Sequence, residues 1–544
     1  MSETARSTVM LTMALAAGLM PSGHAAAEEP ALVPRPEEIK AGNGEFLLSP
    51  DTRVVATGRA AREAVLLVDA LAPAMGCRLR LVEAGEAKPG AIALALDASR
   101  KGELGEEGYA LRVTAEGIAL RAAGPAGLFY GIQTLRQLLP ADVYRNGQVA
   151  GTKWAVPCME ITDRPRFAWR GLLIDPARHF IPKRDVMRFI DAMAMHKLNR
   201  LQIHFTDGQG WRVEIRKYPL LTEIGSRWHN RMSQWGDKGK IYGGYYTQAD
   251  IRELVAYAER RHVTIVPEIE MPFHAGAAIV AYPKLGFDPE KLGALPPMQR
   301  VGKTGNLVVP RPYTVRFFQD VLDEVIELFP SKHIHVGGDE AHAGSWAKVP
   351  EMQELMKREG LQDVHELHSW FIKQIDAHIT RRGRRMVGWD EILQGGLAKG
   401  ATVMSWRGTK GGITAAKAGH DVVMAPTSHT YFDYRQTADK NVDPPALGNG
   451  VTALETVYAF EPVPAALSAA EAAHVLGGQA QLWGELIPNE RHREFMTYPR
   501  ACALAEAVWS PKQPRDYARF LDRLKYHLRR LDAAGIHYRR LTAP

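Results

Sequence analysis

From Arg170 onward one pattern repeats: an apolar run of strand length, a polar or aromatic loop, then an amphipathic helix. The strands read as Leu172–Asp175, Arg200–Phe205, Val263–Ile269, His333–Gly337, Arg385–Trp389, Ala401–Trp406, Asp421–Ala425 and Gly478–Trp483. Helical periodicity falls between several of them, over Lys183–His196, Gln248–Arg261, Tyr313–Phe329 and Val364–Arg382. Eight such units in about 340 residues is the arithmetic of an α/β chain closed into a (β/α)8 TIM barrel with insertions. A doubly wound sheet is the runner-up, but no GxGxxG or Walker-type loop follows any strand. Two long insertions, Glu223–Tyr246 and Met271–Arg311, show no clear secondary structure, and loops of that length are often functional.

What precedes the barrel differs in kind. Short strand-like runs (Arg53 to Ala56, Ala91 to Leu96, Gly117 to Ala122) alternate with turn residues and two helical patterns. They form a smaller α+β accessory domain over 28–156, with Pro157 to Arg166 as the linker into a catalytic domain that runs from 157 to 544. At 544 residues, 46% of them hydrophobic, the chain can bury cores for both. Residues 1–27 read as a signal peptide, with Arg6 ahead of the apolar run Val9 to Met20 and Ala25-Ala26-Ala27 at the cleavage position. An exported protein, periplasmic or secreted and without a membrane span, is therefore expected. Cys77, Cys158 and Cys502 allow one disulfide at most and form no CxxC motif, so the fold is not expected to depend on disulfides. The net charge of +7 comes without an aromatic-interleaved basic cluster, which argues against a nucleic-acid partner. Arg523 to Arg540 looks like the solvated face of a C-terminal helix whose Leu521, Leu524 and Leu528 point inward.

A barrel collects its active site where the strands end. After strand one come Asp175, Arg178 and His179, and after strand two Asp207 and Gln209. Strand three is followed by Glu268, Glu270 and His274, and strand four by Gly337-Gly338-Asp339-Glu340. Trp389-Asp390-Glu391 ends strand five, Trp406-Arg407 strand six, Tyr431 and Asp433 follow strand seven, and Trp483 and Glu485 close strand eight. Adjacent carboxylates raise one another's pKa, which a general acid needs. Carboxylates, an arginine and several tryptophans converging on one pocket describe a sugar site, where aromatic rings take the apolar faces and charged groups the hydroxyls. His333, His335, Asp339 and His342 lack an HExxH-like spacing, so no metal and no cofactor is expected.

The motifs Arg170-Gly-Leu-Leu-Ile-Asp-Pro-Ala-Arg-His-Phe, His204-Phe-Thr-Asp-Gly-Gln-Gly-Trp211, Val266-Pro-Glu-Ile-Glu270, His335-Val-Gly-Gly-Asp-Glu340 and Trp389-Asp-Glu391, with Gly127 to Gln133 in the accessory domain, resemble the β-N-acetylhexosaminidases of glycoside hydrolase family 20. The resemblance implies a retaining, exo-acting hydrolase in which the substrate's own 2-acetamido group is the nucleophile, an exception to the two-carboxylate rule. It implies Glu340 as general acid/base, Asp339 as the residue that holds the acetamido group, and Tyr431 as a donor to its oxygen. Trp389, Trp406 and Trp483 would wall the acetamide pocket, Arg170, Asp433 and Glu485 would take hydroxyls, and Asp207 and His274 would form a relay behind Glu340. The implied partner is an oligosaccharide or glycoconjugate ending in N-acetylhexosamine. A lacto-N-biosidase-like enzyme that releases a disaccharide and a non-catalytic sugar-binding barrel are the alternatives. The chain departs from the pattern twice: Gly208 stands where the family usually has a second acid, and Phe273 where it usually has glycine.

Overall fold

The computed structural model describes residues 29–83, 89–229, 241–512 and 515–541. Residues 1–27, expected to be a signal peptide, lie outside them. The accessory domain is a mixed seven-stranded sheet: β1 (Glu38–Leu47), β2 (Arg53–Ala56), β3 (Arg80–Val82), β4 (Ala91–Leu96), β5 (Tyr109–Thr114), β6 (Gly117–Ala122) and β7 (Ala155–Asp163), in the order β1-β7-β5-β6-β4-β2-β3. Helices α1 (Ala61–Met75) and α2 (Pro125–Leu138) pack against it, and α2 is buried over most of its surface. The expected boundary at 156 is therefore corrected. Pro157 to Asp163 is not linker but an inner strand, and the passage into the barrel is the short stretch from Arg164 to Ala168. Pro157 is accommodated because it pairs with Glu45 where the β1–β7 register shifts, and a bulge spares a missing N–H.

The second domain is a closed parallel barrel of β8 (Trp169–Ile174), β9 (Arg200–His204), β10 (Thr264–Met271), β11 (His333–Gly337), β12 (Arg385–Trp389), β13 (Thr402–Ser405), β14 (Val422–Met424) and β15 (Val475–Leu482). Helices α3 (Lys183–Met195), α4 (Gln248–Glu259), α5 (Pro312–Leu328), α6 (Val364–Arg381), α7 (Lys410–Lys417) and α8 (Arg500–Trp509) surround it. Local sequence sets their starts. Thr247 and Asp250 form a capping box for α4, and the Asp363 carboxylate accepts from the amides of His365 and Glu366, the second and third residues of α6. No long helix separates β12 from β13. The Met271–Arg311 insertion is not bare loop, since it contains the short helices Gly276–Ala281, Pro289–Gly293 and Pro297–Arg300. Among the described residues no helix is long and apolar enough to cross a membrane.

The C-terminal helix α9 (Tyr517–Ala533) buries Leu524 and Leu528 as expected, but its arginines are not all solvated. Arg523 donates to Leu32 O and Arg530 to Ala31 O, so the last helix clasps the first described residues. The underside of the barrel is sewn to the accessory domain by buried charges. Lys197 Nζ lies 2.8 Å from Asp163 Oδ2, and the same carboxylate accepts from Tyr109 Oη and Trp509 Nε1.

Candidate active site

Strand β11 delivers the acid pair through two glycines. Gly337 and Gly338 have φ of 69° and 91°, and Glu340 itself sits at 49°. A Cβ on Gly337 would lie 1.7 Å from Glu270 Oε1, so only glycine fits both the dihedral and the contact. Glu270 accepts from Gly338 N at 3.0 Å and so fixes the loop from below. The two acids differ in exposure: the Asp339 side chain is 13% exposed and that of Glu340 50%, although both approach His274 Nε2, at 3.8 and 3.3 Å.

Behind Glu340 stands a line of hydrogen-bonding partners. His274 Nε2 is 3.3 Å from Glu340 Oε2, and His274 Nδ1 is 3.2 Å from Asp207 Oδ2. Asp207 in turn meets Arg178 at 2.6 Å and His204 Nε2 at 3.0 Å. His204 Nδ1 is 2.8 Å from Glu268, which also accepts from Gln202 and from the Trp389 indole at 3.0 Å. One buried carboxylate thus ties the relay to a wall of the pocket.

The protons are not where adjacency alone puts them. The hydrogen bond from His274 holds Glu340 below the usual glutamate range. Burial opposes charge on His274, yet Asp207 keeps its imidazolium well above the ordinary value. Burial raises Asp339, and it pushes Glu391, beside Asp339 and Asp390, up to about 7. In the open site the proton that Glu340 needs as an acid is therefore stored on His274. The His274, Asp339 and Glu340 ligand atoms lie within 4.8 Å of one another.

Around the acids the expected aromatic residues converge. Trp389 is buried and 5.7 Å from Trp483 between ring centres, and Trp406 stacks with Tyr431 at 6.2 Å. Trp406 Nε1 donates to Glu391 at 3.0 Å. Tyr431 is held by a bridge to Gln481 on β15, which also receives Phe432 N at 2.7 Å. Among the described residues, both oxygens of Asp433, one of Glu485 and one of Asp339 are buried without a hydrogen-bond partner. Buried carboxylate oxygens are normally satisfied, so four at one pocket mark positions built for a ligand's hydroxyl and amide groups.

Arg170 is not in this pocket, which corrects its expected role. It lies near the start of β8, so the barrel separates it from the strand ends by on the order of 15 Å. There it is fully buried and forks onto Glu107 of the accessory domain at 2.9 and 3.0 Å. Arg178, eight residues on in the same motif and past the strand end, is the arginine at the site. It contacts Asp175 at 3.0 Å, Asp207 at 2.6 Å and Glu485 at 3.8 Å, and lies over the Trp483 ring. At Gly208, a Cβ would lie 2.4 Å from Asn306 Oδ1, so the long insertion fills the space of the family's second acid.

Comparison with known proteins agrees with this geometry. Residues 167–512 match the glycosyl hydrolase family 20 catalytic domain, and residues 29–164 match domain 2 of the same family. The chain belongs to glycoside hydrolase family 20. A β-hexosaminidase of Porphyromonas gingivalis is 41% identical over 516 residues, which cover 93% of this chain and 64% of that protein. Among solved structures, the family 20 exo-β-N-acetylglucosaminidase of Vibrio harveyi in complex with N-acetylglucosamine matches with a TM-score of 0.82 at 33% identity, covering 94% of this chain and 78% of that one. The family 20 β-N-acetylhexosaminidase of Streptomyces coelicolor matches with a TM-score of 0.80 at 33% identity, over 94% and 98% of the two chains. As a family 20 member, this chain carries a glycoside hydrolase barrel with the family's accessory domain in front of it.

Proposed function

We propose that the protein is an exo-acting β-N-acetylhexosaminidase that removes a terminal N-acetylhexosamine with retention, through an oxazolinium intermediate. The observation that carries this reading is the unequal exposure of the adjacent Asp339 and Glu340, one largely buried beside the tryptophan pocket and the other half exposed on the His274 line. Two neighbouring carboxylates in such different surroundings suit different roles on a single sugar.

The reaction follows from those positions. A sugar ring seated among Trp389, Trp406 and Trp483 expels water from Glu340, and the loss of solvation favours the neutral acid. His274 then gives its proton to Glu340, which passes it to the glycosidic oxygen as the bond to the anomeric carbon breaks. The acetamido oxygen attacks that carbon, and Asp339 accepts from the acetamido N–H as positive charge develops on the ring that forms. Water enters with Glu340, now the base, taking its proton, and the sugar leaves with its original configuration. Tyr431 supports the acetamido oxygen, and Asp433 and Glu485 accept from hydroxyls. The relatives named β-hexosaminidase and the neighbour solved with N-acetylglucosamine support this substrate class. We also infer export, from the signal-like segment at residues 1–27; recovery of a chain that still begins at Met1 from the cell envelope would refute that.

The deciding experiment compares nitrophenyl N-acetyl-β-glucosaminide with the plain β-glucoside and adds a thiazoline mimic of the intermediate. Turnover of the first alone and tight inhibition are expected, since transition-state-like ligands bind far better than substrates. A covalent glycosyl adduct on any Asp or Glu, seen by mass spectrometry, would overturn the mechanism.

A further inference from the structure

Beside Glu340 the rim carries a side chain that the relay does not need. Phe273 replaces the usual glycine directly before His274, in a tight loop where His274 itself has a φ of 54°. Its ring lies 4.7 Å from the His274 ring and 5.7 Å, edge to face, from His342. Phe273 is half-buried, and its covered edge rests on a satellite apolar cluster that includes Leu307, Val309, Ala343 and Trp346, separate from the main core. That footing is rigid. Val308 N donates to Pro272 O at 2.9 Å, Ala275 N to Asn306 O at 2.8 Å, and Trp346 Nε1 to Val308 O at 2.8 Å. The long insertion after β10 and the turn after Glu340 thus hold one phenyl ring against His274, whose Nε2 is 3.3 Å from Glu340.

Geometry says what such a ring meets. A proton donor must touch the oxygen that joins two sugars. The terminal sugar is taken by the tryptophan pocket, so whatever borders Glu340 on its exposed side faces the leaving group. We propose that Phe273, flanked by the exposed His342, is a platform for a leaving-group pyranose, whose apolar CH face lies on the phenyl ring while Glu340 protonates its oxygen. The preferred substrates are then β-linked oligosaccharides with a second pyranose next to the terminal N-acetylhexosamine, over conjugates with small alkyl aglycones. This deepens the exo-hydrolase reading and rests on it.

The test measures KM for the β-1,4-linked disaccharide of N-acetylglucosamine and for methyl N-acetyl-β-glucosaminide, whose leaving group is methanol. Phe273→Leu keeps the apolar footing without the flat ring, Phe273→Gly removes both, and Phe273→Tyr keeps both. The first two should raise KM for the disaccharide by about fivefold or more and leave the methyl glycoside within about twofold, a shift of roughly one kcal/mol. Phe273→Tyr should stay near the parent. Equal effects on both substrates would mean that Phe273 only supports His274, and an unchanged disaccharide KM would mean that no platform exists; either overturns the proposal. Should the parent turn over neither substrate, the exo-hydrolase reading fails on its own. The platform is still decided by calorimetry in the Glu340→Gln background, where Phe273→Leu must weaken the disaccharide and spare N-acetylglucosamine.

Discussion

The two ends of the barrel both bury charge, and they do so in opposite ways. At the bottom, Arg170 meets Glu107 while also donating to Tyr130, Phe167 O and Lys197 O, and Asp163 accepts from Lys197, Tyr109 and Trp509. There the charges are saturated. At the top, Asp433, Glu485 and Asp339 keep buried oxygens with no partner among the described residues. A charge fully paired within the protein holds domains together, whereas one left short of partners is held ready for something else. The same residue types carry both messages, and only their pairing separates them.

The largest effect should come from breaking the top. Glu340→Gln is expected to lower kcat by about 10² to 10⁴ on substrates whose leaving group needs a proton, and by less on nitrophenyl glycosides. The thermal midpoint should hardly move. Equal loss whatever the leaving group would remove Glu340 from the role of acid.

The bottom should answer in the opposite currency of measurement. Arg170→Met leaves Glu107 in a cleft without its cation, and breaking a buried pair costs about 3–5 kcal/mol, read from urea unfolding. The KM of the molecules that remain folded should not change. A strong rise in KM with intact stability would return Arg170 to the sugar site, whereas Arg178→Met should raise KM strongly and, since it strips the buried Asp175 and Asp207 of their cation, lower stability as well.

A third region sharpens the contrast, because it is buried, polar and neutral. His196 Nδ1 donates to Ala192 O at 2.6 Å, so its Nε2 is left to accept from His527 at 2.9 Å and from Cys502 at 3.4 Å. Tyr498 packs on the His196 ring, and Arg530 faces His527 Nδ1. Burial lowers His196 from 6.5 to about 4 and moves His527 the same way. Between those values the unfolded chain binds the proton and the fold does not. Stability should therefore be complete above pH 6.5, fall as pH drops towards 4, and level off below it. The loss from His196 is on the order of 3 kcal/mol. Urea midpoints that do not fall between pH 7 and 4.5, or that fall equally in a His196→Gln, His527→Gln variant, would contradict this.

The smallest effect concerns a filled gap. Gly208→Asp should destabilise by about 1–3 kcal/mol through overpacking against Asn306, and Asn306→Ala in the same chain should recover most of it. Simple additivity of the two substitutions would show that the space is not shared.

Much of this was legible in the sequence. The segments His333–Gly337 and Arg385–Trp389 were read to the residue, because an apolar run between polar flanks marks a buried parallel strand well. Misreadings arose where meaning depends on position along a strand or on a partner far away. Arg170 and Arg178 belong to one motif, and a shift of where β8 begins decides which of them lies at the catalytic end. Pro157 looked like a linker because the bulge that admits it is formed with Glu45, distant in sequence. Arg523 and Arg530 looked solvated because Leu32 O and Ala31 O, among their acceptors, are main-chain carbonyls near the other end of the chain. Nor could any pattern show that Glu340 sits below its ordinary pKa, since the cause is one hydrogen bond from His274.

The clasp of α9 on Ala31 and Leu32 sets an order of events in time. Arg530 and Ala31 are 499 positions apart, so at ordinary synthesis rates about 25 to 100 s separate the making of the two. Through that interval Gln137 of the accessory domain can already pair with Val33, while the carbonyls of Ala31 and Leu32 wait for their arginines. The clasp closes only when α9 has been made.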